Sequence, residues 1–533
     1  METKLKKGVV FRNSDNWFNT KISIIQEHMK IICLSTFLWG ILAHGFMLFN
    51  KISYHDDIAV FFGPSGIKSL TNQGRWMWGV FACILKKIYA YDYSISLYKG
   101  FFTFVFVAIT FTLIAGILEY KYAVSLFVLS GILVVNTTIT CLFGYIYMSL
   151  IYTFALMLSV IAAVIICKSS KWYLWCIALV LNVCAIGTYQ LFFCSGICII
   201  LIHIIQKTLD EDISWKKWWI RAIKYIVFYG MSVLLYVVLT KLFVHIYDVE
   251  LIDYAGISSM GIVSIKKYIK RILLAYAAFF MPRKYAGNGD PYPLFSIWGY
   301  RISVIVLLVF FIYLIRKQWK IGDKRKGIQL AFLFVLFPLT VNFIYVLAGY
   351  SYEMTFYCHV FIYIMLIFLA ERLSIKRIGR IIFYSCISLV FLLNIFFCRY
   401  DNACYLKAEI LMENAKSYFT TLVTRIQSTE GYSAEYPVAY IEPRRKYVMN
   451  DGVPEEFQCI QTNPYNKTSI INDYMWSRFM YLWCGYQAKE LPGKDYGSYM
   501  EMDEVKRMPS YPADGSIKVI GQVVVVKFAD PEQ

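Results

Sequence analysis

The stretch RWMWGVFACILKKIYAYD, residues 75–92, decides how the chain is threaded. It is rich in apolar residues, yet it is short and carries Lys86 and Lys87. If it crosses a membrane, the basic loops downstream of it fall on the outer side. If it lies along the surface as an amphipathic interfacial helix, the same loops fall inside. Short cytoplasmic loops retain Lys and Arg, so the second reading fits the charges and the stretch is taken as interfacial.

Working outward from there, residues 1–30 are basic (Lys4, Lys6, Lys7, Arg12, Lys21, Lys30) and belong in the cytoplasm. Residues 31–49 then cross outward, which leaves SYHDD, residues 53–57, on the outer face. Downstream, crossings fall at 97–118, 123–142, 145–167, 172–188, 189–206, 222–246, 297–315, 327–349, 355–371 and 378–398. The loops RKQWKIGDKRK and ERLSIKRIGR stay inside, and the long outer loops are 50–96 and 247–296. Eleven crossings result, with the N-terminus inside and the C-terminus outside. The composition agrees: 59% of the 533 residues are hydrophobic and 17% charged, against about 25% charged in soluble domains. The apolar runs are near the ~20 residues a helix needs to cross the hydrocarbon core.

The formal net charge of +18 is not a nucleic-acid signature. Residues 399–533 hold 15 Lys/Arg against 18 Asp/Glu, so the positive excess sits entirely in residues 1–398, much of it in short loops between apolar runs. Most of the 14 cysteines, among them Cys33, Cys141, Cys184, Cys194, Cys198 and Cys386, lie in or beside apolar runs, where free cysteine behaves as a small hydrophobe. Only Cys404, Cys459 and Cys484 fall in the polar tail, and no CxxC or Cys/His zinc spacing occurs, so no disulfide framework or zinc site is expected. The first 30 residues are too long and polar for a secretory leader, so the first helix reads as an uncleaved anchor. The tail mixes a helical stretch, NACYLKAEILMENAKSYFTTLVTRIQ, with strand-like YPVAYIEP and SIKVIGQVVVVKF, the latter turning at Gly521. The fold class is an all-α polytopic membrane protein with a C-terminal α+β domain, divided as 1–30, 31–398 and 399–533.

Several groups are candidates for chemistry. Asp56 and Asp57 stand just past the first crossing. Loop acids often only cap a helix, but a carboxylate beside lipid is costly, and these are followed by an aromatic stretch opening with Arg75. A carboxylate that takes a proton from a hydroxyl, beside a planar guanidinium that holds a phosphate, is what sugar transfer from a lipid carrier requires. Tyr189 and Gln190, between two apolar runs, are either helix–helix glue or sugar contacts. Arg283 and Lys284 follow an amphipathic run and offer either lipid-headgroup contacts or a second handle on the carrier phosphate. Glu353, in the short loop GYSYEM, is a weaker acid candidate. His55 beside the two aspartates leaves a divalent metal open, although one His among acids is a poor ligand set; no cofactor is otherwise implied. Gly63, Gly66 and Gly74 make no phosphate-binding fingerprint.

An acid pair after the first membrane helix, then Gly74-Arg75-Trp76, then Tyr189-Gln190 at a later outer edge, resembles the glucosyltransferase II family, membrane enzymes that add glucosyl side groups to O-antigen. The tail MPSYPADGSIKVIGQVVVVKF is also similar to the C-terminal end of those proteins. The resemblance implies a GT-C architecture and a transferase taking a hexose, glucose above all, from a polyprenyl-phosphate donor to a polysaccharide or lipid-linked glycan outside the bacterial plasma membrane. It maps the family's first-loop acids onto Asp56 and Asp57, its Gly-Arg-Trp onto Gly74, Arg75 and Trp76, and its Tyr-Gln onto Tyr189 and Gln190. The rival readings are a polysaccharide polymerase and a transporter of lipid-linked oligosaccharides. A transporter calls for ionisable residues deep in its helices, and here Lys241 is the clearest such charge, near one end of its run.

Overall fold

In lipid a backbone N–H or C=O has no water to bond, and a helix satisfies these groups within one segment. The computed structural model describes residues 6–53, 55–63, 66–88, 93–252, 263–282, 294–349, 353–442, 475–491 and 493–530, and among these the residues up to 427 are mostly helical. Contacts divide the chain into two units: Met1–Phe49 with Ser65–Asp401, and Asn50–Pro64 with Asn402–Gln533.

The first unit is helical. Its elements are α1 (Lys6–Phe49), α3 (Ile67–Thr71), α4 (Trp76–Lys87), α5 (Ser96–Leu118), α6 (Ala123–Val135), α7 (Thr137–Gly144) and α8 (Ile146–Lys168). These are followed by α9 (Trp172–Thr188), α10 (Phe193–Asp210), α11 (Trp215–Tyr247), α12 (Ile265–Phe280), α13 (Leu294–Ile321), α14 (Lys324–Val341), α15 (Phe343–Ala348) and α16 (Val360–Leu373). The last is α17 (Arg377–Gln427), which runs on into the second unit. The short α2 (His55–Ala59) belongs to that second unit. Among the described residues seven helices are long and apolar enough to cross a membrane, or eight if the bent pair α6–α7 makes one span. Helix α4 has 12 residues, a rise of roughly 18 Å, short of the ~30 Å hydrocarbon core.

Around α5, α1 and α8 pack on either side, with α6 against α1 and α9 against α8; α10 and α13 both lie on α14. Close approach is bought with small residues. A Cβ on Gly40 would meet the Phe104 ring at 2.7 Å, and one on Gly131 would collide with Asn394 of α17.

Three of the expected crossings have a break inside them. The run 123–142 is two helices bent by 42° at Asn136. A break leaves carbonyls unpaired on one side and N–H groups on the other. The Asn136 amide serves both, donating to Ile132 O and Leu133 O at 3.0 Å and accepting from Ile139 N at 3.4 Å. The run 327–349 is interrupted at Asn342, and within 355–371 helix α16 begins only at Val360, after the 3₁₀ turns Glu353–Thr355 and Tyr357–His359. Helix α17 runs 51 residues without interruption, roughly 76 Å, where a membrane helix and a separate tail helix are expected.

The second unit builds a four-stranded sheet in the order β2-β1-β4-β3 from β1 (Pro437–Ile441), β2 (Lys489–Glu490), β3 (Ile517–Ile520) and β4 (Val523–Lys527). Both predicted strand regions form, and β3–β4 is an antiparallel hairpin turning at Gly521, whose φ of 64° suits glycine. Central β4 is buried throughout. One face joins Ala439, Ile441, Leu491, Val505 and Met508, and across the other Phe528 meets Trp476 at 5.2 Å. Two residues that follow α2 pack here through their aromatic rings, Phe61 against Trp483 and Phe62 against Tyr481, both on α18 (Trp476–Cys484).

Candidate functional site

The Gly-Arg-Trp triplet is a helix end followed at once by a helix start. At the end of α3, Gly74 N–H bonds Thr71 O at 2.9 Å and Arg75 N–H bonds Leu70 O at 2.8 Å, the pair of bonds that closes a Schellman motif. That motif needs a left-handed residue at the position Gly74 holds, and its φ is 70°. A side chain there would also strike the Tyr236 hydroxyl at 2.6 Å and the Gln190 amide nitrogen at 2.9 Å. Arg75 then occupies the N-cap of α4 and Trp76 its first turn. A cation at the positive end of a helix concentrates positive potential, which favours a bound anion.

Tyr189 and Gln190 lie in the turn between α9 and α10. The structure brings this turn onto the triplet. Gln190 Nε2 donates to Gln73 O and to Tyr236 Oη, both at 3.1 Å, and Tyr236 Oη donates to Gly74 O at 3.1 Å. The Tyr189 ring stacks on Tyr152 of α8 with centroids 3.8 Å apart. The Arg75 guanidinium carbon flanks that stack, 5.4 Å from the Tyr189 centroid and 5.9 Å from Tyr152, within cation–π range. Arg75 is 7% exposed and Tyr152 fully buried.

Trp76 anchors the start of α4. Its indole N–H donates to Thr240 Oγ1 at 3.2 Å and its ring stacks on Phe243, both on α11. A Cβ on Gly187 of α9 would lie 2.6 Å from the indole, so glycine there lets α9 reach Trp76. Gly74, Arg75, Trp76, Tyr189 and Gln190, far apart in the chain, therefore form one packed cluster in the helical unit.

The acids belong to the second unit. Asp56 and Asp57 occupy the first turn of α2. Asp57 is 1% exposed and its Oδ2 pairs with Lys51 Nζ at 3.2 Å; the same ammonium lies 4.8 Å from the Phe61 ring. His55 and Glu353 are placed on helical turns, but their side chains lie outside the described residues, as do Arg283 and Lys284 entirely. Among the described residues no group of three or more His, Cys, Asp or Glu side chains is arranged to hold a metal.

The cluster can hold an anion by the Arg75 fork and a ring or hydroxyl by Tyr189 and Gln190; the acid pair can take up a proton. Tyr152, Tyr236 and Thr240 are the members that sequence reading misses. Tyr236 and Thr240 stand four residues apart, on one helix face, inside the apolar run SVLLYVVLTK, and that polar spacing was the available signal. Tyr152 is hidden among the other tyrosines of YIYMSLIYTF.

A family model described as Glucosyl transferase GtrII matches residues 45–370, which takes in the acid pair and every member of the cluster. No curated protein and no solved structure matches the chain.

Proposed function

The chain belongs to the glucosyl transferase GtrII family, and from that premise we propose that it moves glucose from a polyprenyl-phosphate carrier to a cell-surface polysaccharide or lipid-linked glycan on the outer face of the bacterial plasma membrane. The observation that carries the reading is the convergence of Gly74-Arg75-Trp76 with Tyr189-Gln190 in one buried cluster. In the reaction, Asp56 or Asp57 takes the proton of an acceptor hydroxyl. The hydroxyl oxygen bonds the anomeric carbon as the C1–O bond to phosphate breaks, and the leaving phosphate keeps the electron pair. Arg75 stabilises that phosphate through its guanidinium fork. Trp76, Tyr189 and Gln190, with His55 and Glu353, contact the sugars, and Arg283 and Lys284 give the carrier phosphate a second hold.

The proposed threading keeps eleven crossings of a GT-C type, the N-terminus inside, the C-terminal domain outside and α4 in the interface; the short length of α4 supports its interfacial placement. The family favours transfer over a polymerase or a transporter. The test compares polyprenyl-phosphate-glucose with UDP-glucose on the purified full chain in nanodiscs. Transfer from the lipid donor alone is expected, and robust transfer from UDP-glucose overturns the proposal.

A further inference from the structure

The second unit carries a cleft of about 610 Å³ that no step above uses, a volume within the ~300–1,000 Å³ of ligand pockets. One wall is the end of α17, with Arg425, Ser428, Thr429 and Glu430; the other runs from Asp514 through Ser516 into β3 as far as Val519.

The walls are fixed by Arg425. Its guanidinium donates to Pro512 O and to Asp514 Oδ1, the latter at 2.7 Å, and lies 5.6 Å from the Tyr511 ring. Those contacts hold the 511–516 turn against the helix end. Thr429 is tied back to Arg425 O at 2.8 Å. Beyond the turn, β3 is the last strand of the sheet among the described residues, pairing with β4 there, and its residues Ile517, Lys518 and Val519 line the cleft. The Ser516 hydroxyl, 1% exposed, has no hydrogen-bond partner among the described residues.

The lining selects a class of ligand. Arg425 and Lys518 balance Glu430 and Asp514, so neither an anion nor a cation is preferred overall. Ile517 and Val519 are half-buried, which leaves little exposed apolar surface for an acyl chain. What the cleft offers in quantity is hydrogen-bond donors and acceptors on a pre-organised frame. We propose that it binds a short neutral oligosaccharide, the segment of the acceptor glycan away from the hydroxyl that receives glucose. This assignment to the acceptor rests on the transferase reading above.

The experiment uses the full chain in nanodiscs on a printed array of bacterial surface oligosaccharides, neutral and acidic, with wild type beside Glu430→Gln/Lys518→Ala. Both side chains are exposed, so the variant is expected to accumulate normally; Ser428→Ala, also exposed, is a second variant. Neutral glycans are expected to bind, with at least fivefold weaker binding in the double variant and, in transfer assays, a matching rise in acceptor KM at unchanged donor KM. Binding of acidic glycans alone, binding untouched by both variants, or no glycan bound overturns the proposal. Array binding does not depend on turnover. Glycan binding lost in the variants while no lipid donor supports transfer would sink the transferase reading and leave the cleft standing. Pairing of an added peptide with the β3 edge, in place of glycan binding, would count for a protein partner and against the proposal.

Discussion

Arg75 and Asp57 are both nearly buried charges, 7% and 1% exposed, and they are held in opposite ways. Arg75 is fixed by tertiary packing: a helix-ending turn sets its backbone, rings from α8 and the α9–α10 turn flank its guanidinium, and α11 supports the turn through Tyr236. Asp57 has a partner six residues away, Lys51, whose side chain is 39% exposed. A cation locked by distant elements keeps its geometry only while those elements stay in register, whereas the Lys51–Asp57 ion pair lies within one short stretch of chain. Substitutions near Arg75 should therefore act at a distance, and those at the acids should act on chemistry alone.

The largest effect belongs to the acids. Asp56→Asn and Asp57→Asn keep shape and most hydrogen bonding while removing charge. At least one should lower transfer by about 10²–10⁴-fold, the usual contribution of a general base, with normal amounts of inserted protein. Near-normal turnover in both variants would remove the acids from the reaction and leave Asp57 as a local partner for Lys51.

Next comes the cation. A hydrogen-bonded charge pair contributes about 1.5–3 kcal/mol, so Arg75→Ala should raise the KM for polyprenyl-phosphate-glucose about 10–100-fold. Arg75→Lys should recover little of this, because a point charge lacks the fork. Acceptor KM should hardly move. If donor affinity ignores both changes while the acceptor responds, Arg75 is a packing residue or a sugar contact, and the contrast with Asp57 must be redrawn.

The sequence announces this contrast only in part. Short polar motifs beside apolar runs stand out, so Asp56, Asp57, Arg75 and the Tyr189-Gln190 pair could be singled out. The hairpin at Gly521 was legible because period-two strands and a left-handed turn residue reinforce each other. Tyr152 was not, since inside an apolar helix a tyrosine reads like any large residue until a neighbour stacks on it. The bend at Asn136 escaped because hydropathy averages over a window, although Asn followed by two threonines is a helix-start signal. The unbroken α17 escaped for the converse reason: polar residues begin near Arg399 without a glycine or proline to stop the helix. Hydropathy marks where the solvent changes, and the backbone changes course only where a residue forces it to.

Gly74 tests the action at a distance. Gly74→Ala places a side chain in a left-handed conformation, at a cost of roughly 1–2 kcal/mol, and pushes against the Tyr236 hydroxyl and the Gln190 amide. Transfer should fall about tenfold, and truncating Gln190 to Ala in the same chain should relieve one of the two clashes. The double variant should therefore lose less than the sum of the two single losses, since contacting residues are not additive. Independent losses would mean that the triplet and the α9–α10 turn are not coupled.

The smallest effect is expected at Trp76, where two contributions can be separated. Phenylalanine keeps an aromatic face for Phe243 and fills most of the space beside Gly187, but it loses the indole N–H bond to Thr240. Thr240 still donates its hydroxyl to Tyr236 O at 2.8 Å, so only an acceptor site is vacated. One neutral hydrogen bond contributes about 0.5–1.5 kcal/mol, and Trp76→Phe should raise donor KM a few-fold with kcat unchanged. Trp76→Ala removes the ring as well and should cost clearly more, because α4 then loses its packing against α11 and Arg75 sits at the N-cap of that helix. If the two variants are equally impaired, the hydrogen bond to Thr240 rather than the ring sets the position of Arg75, and the packing against α11 contributes little to holding the cation.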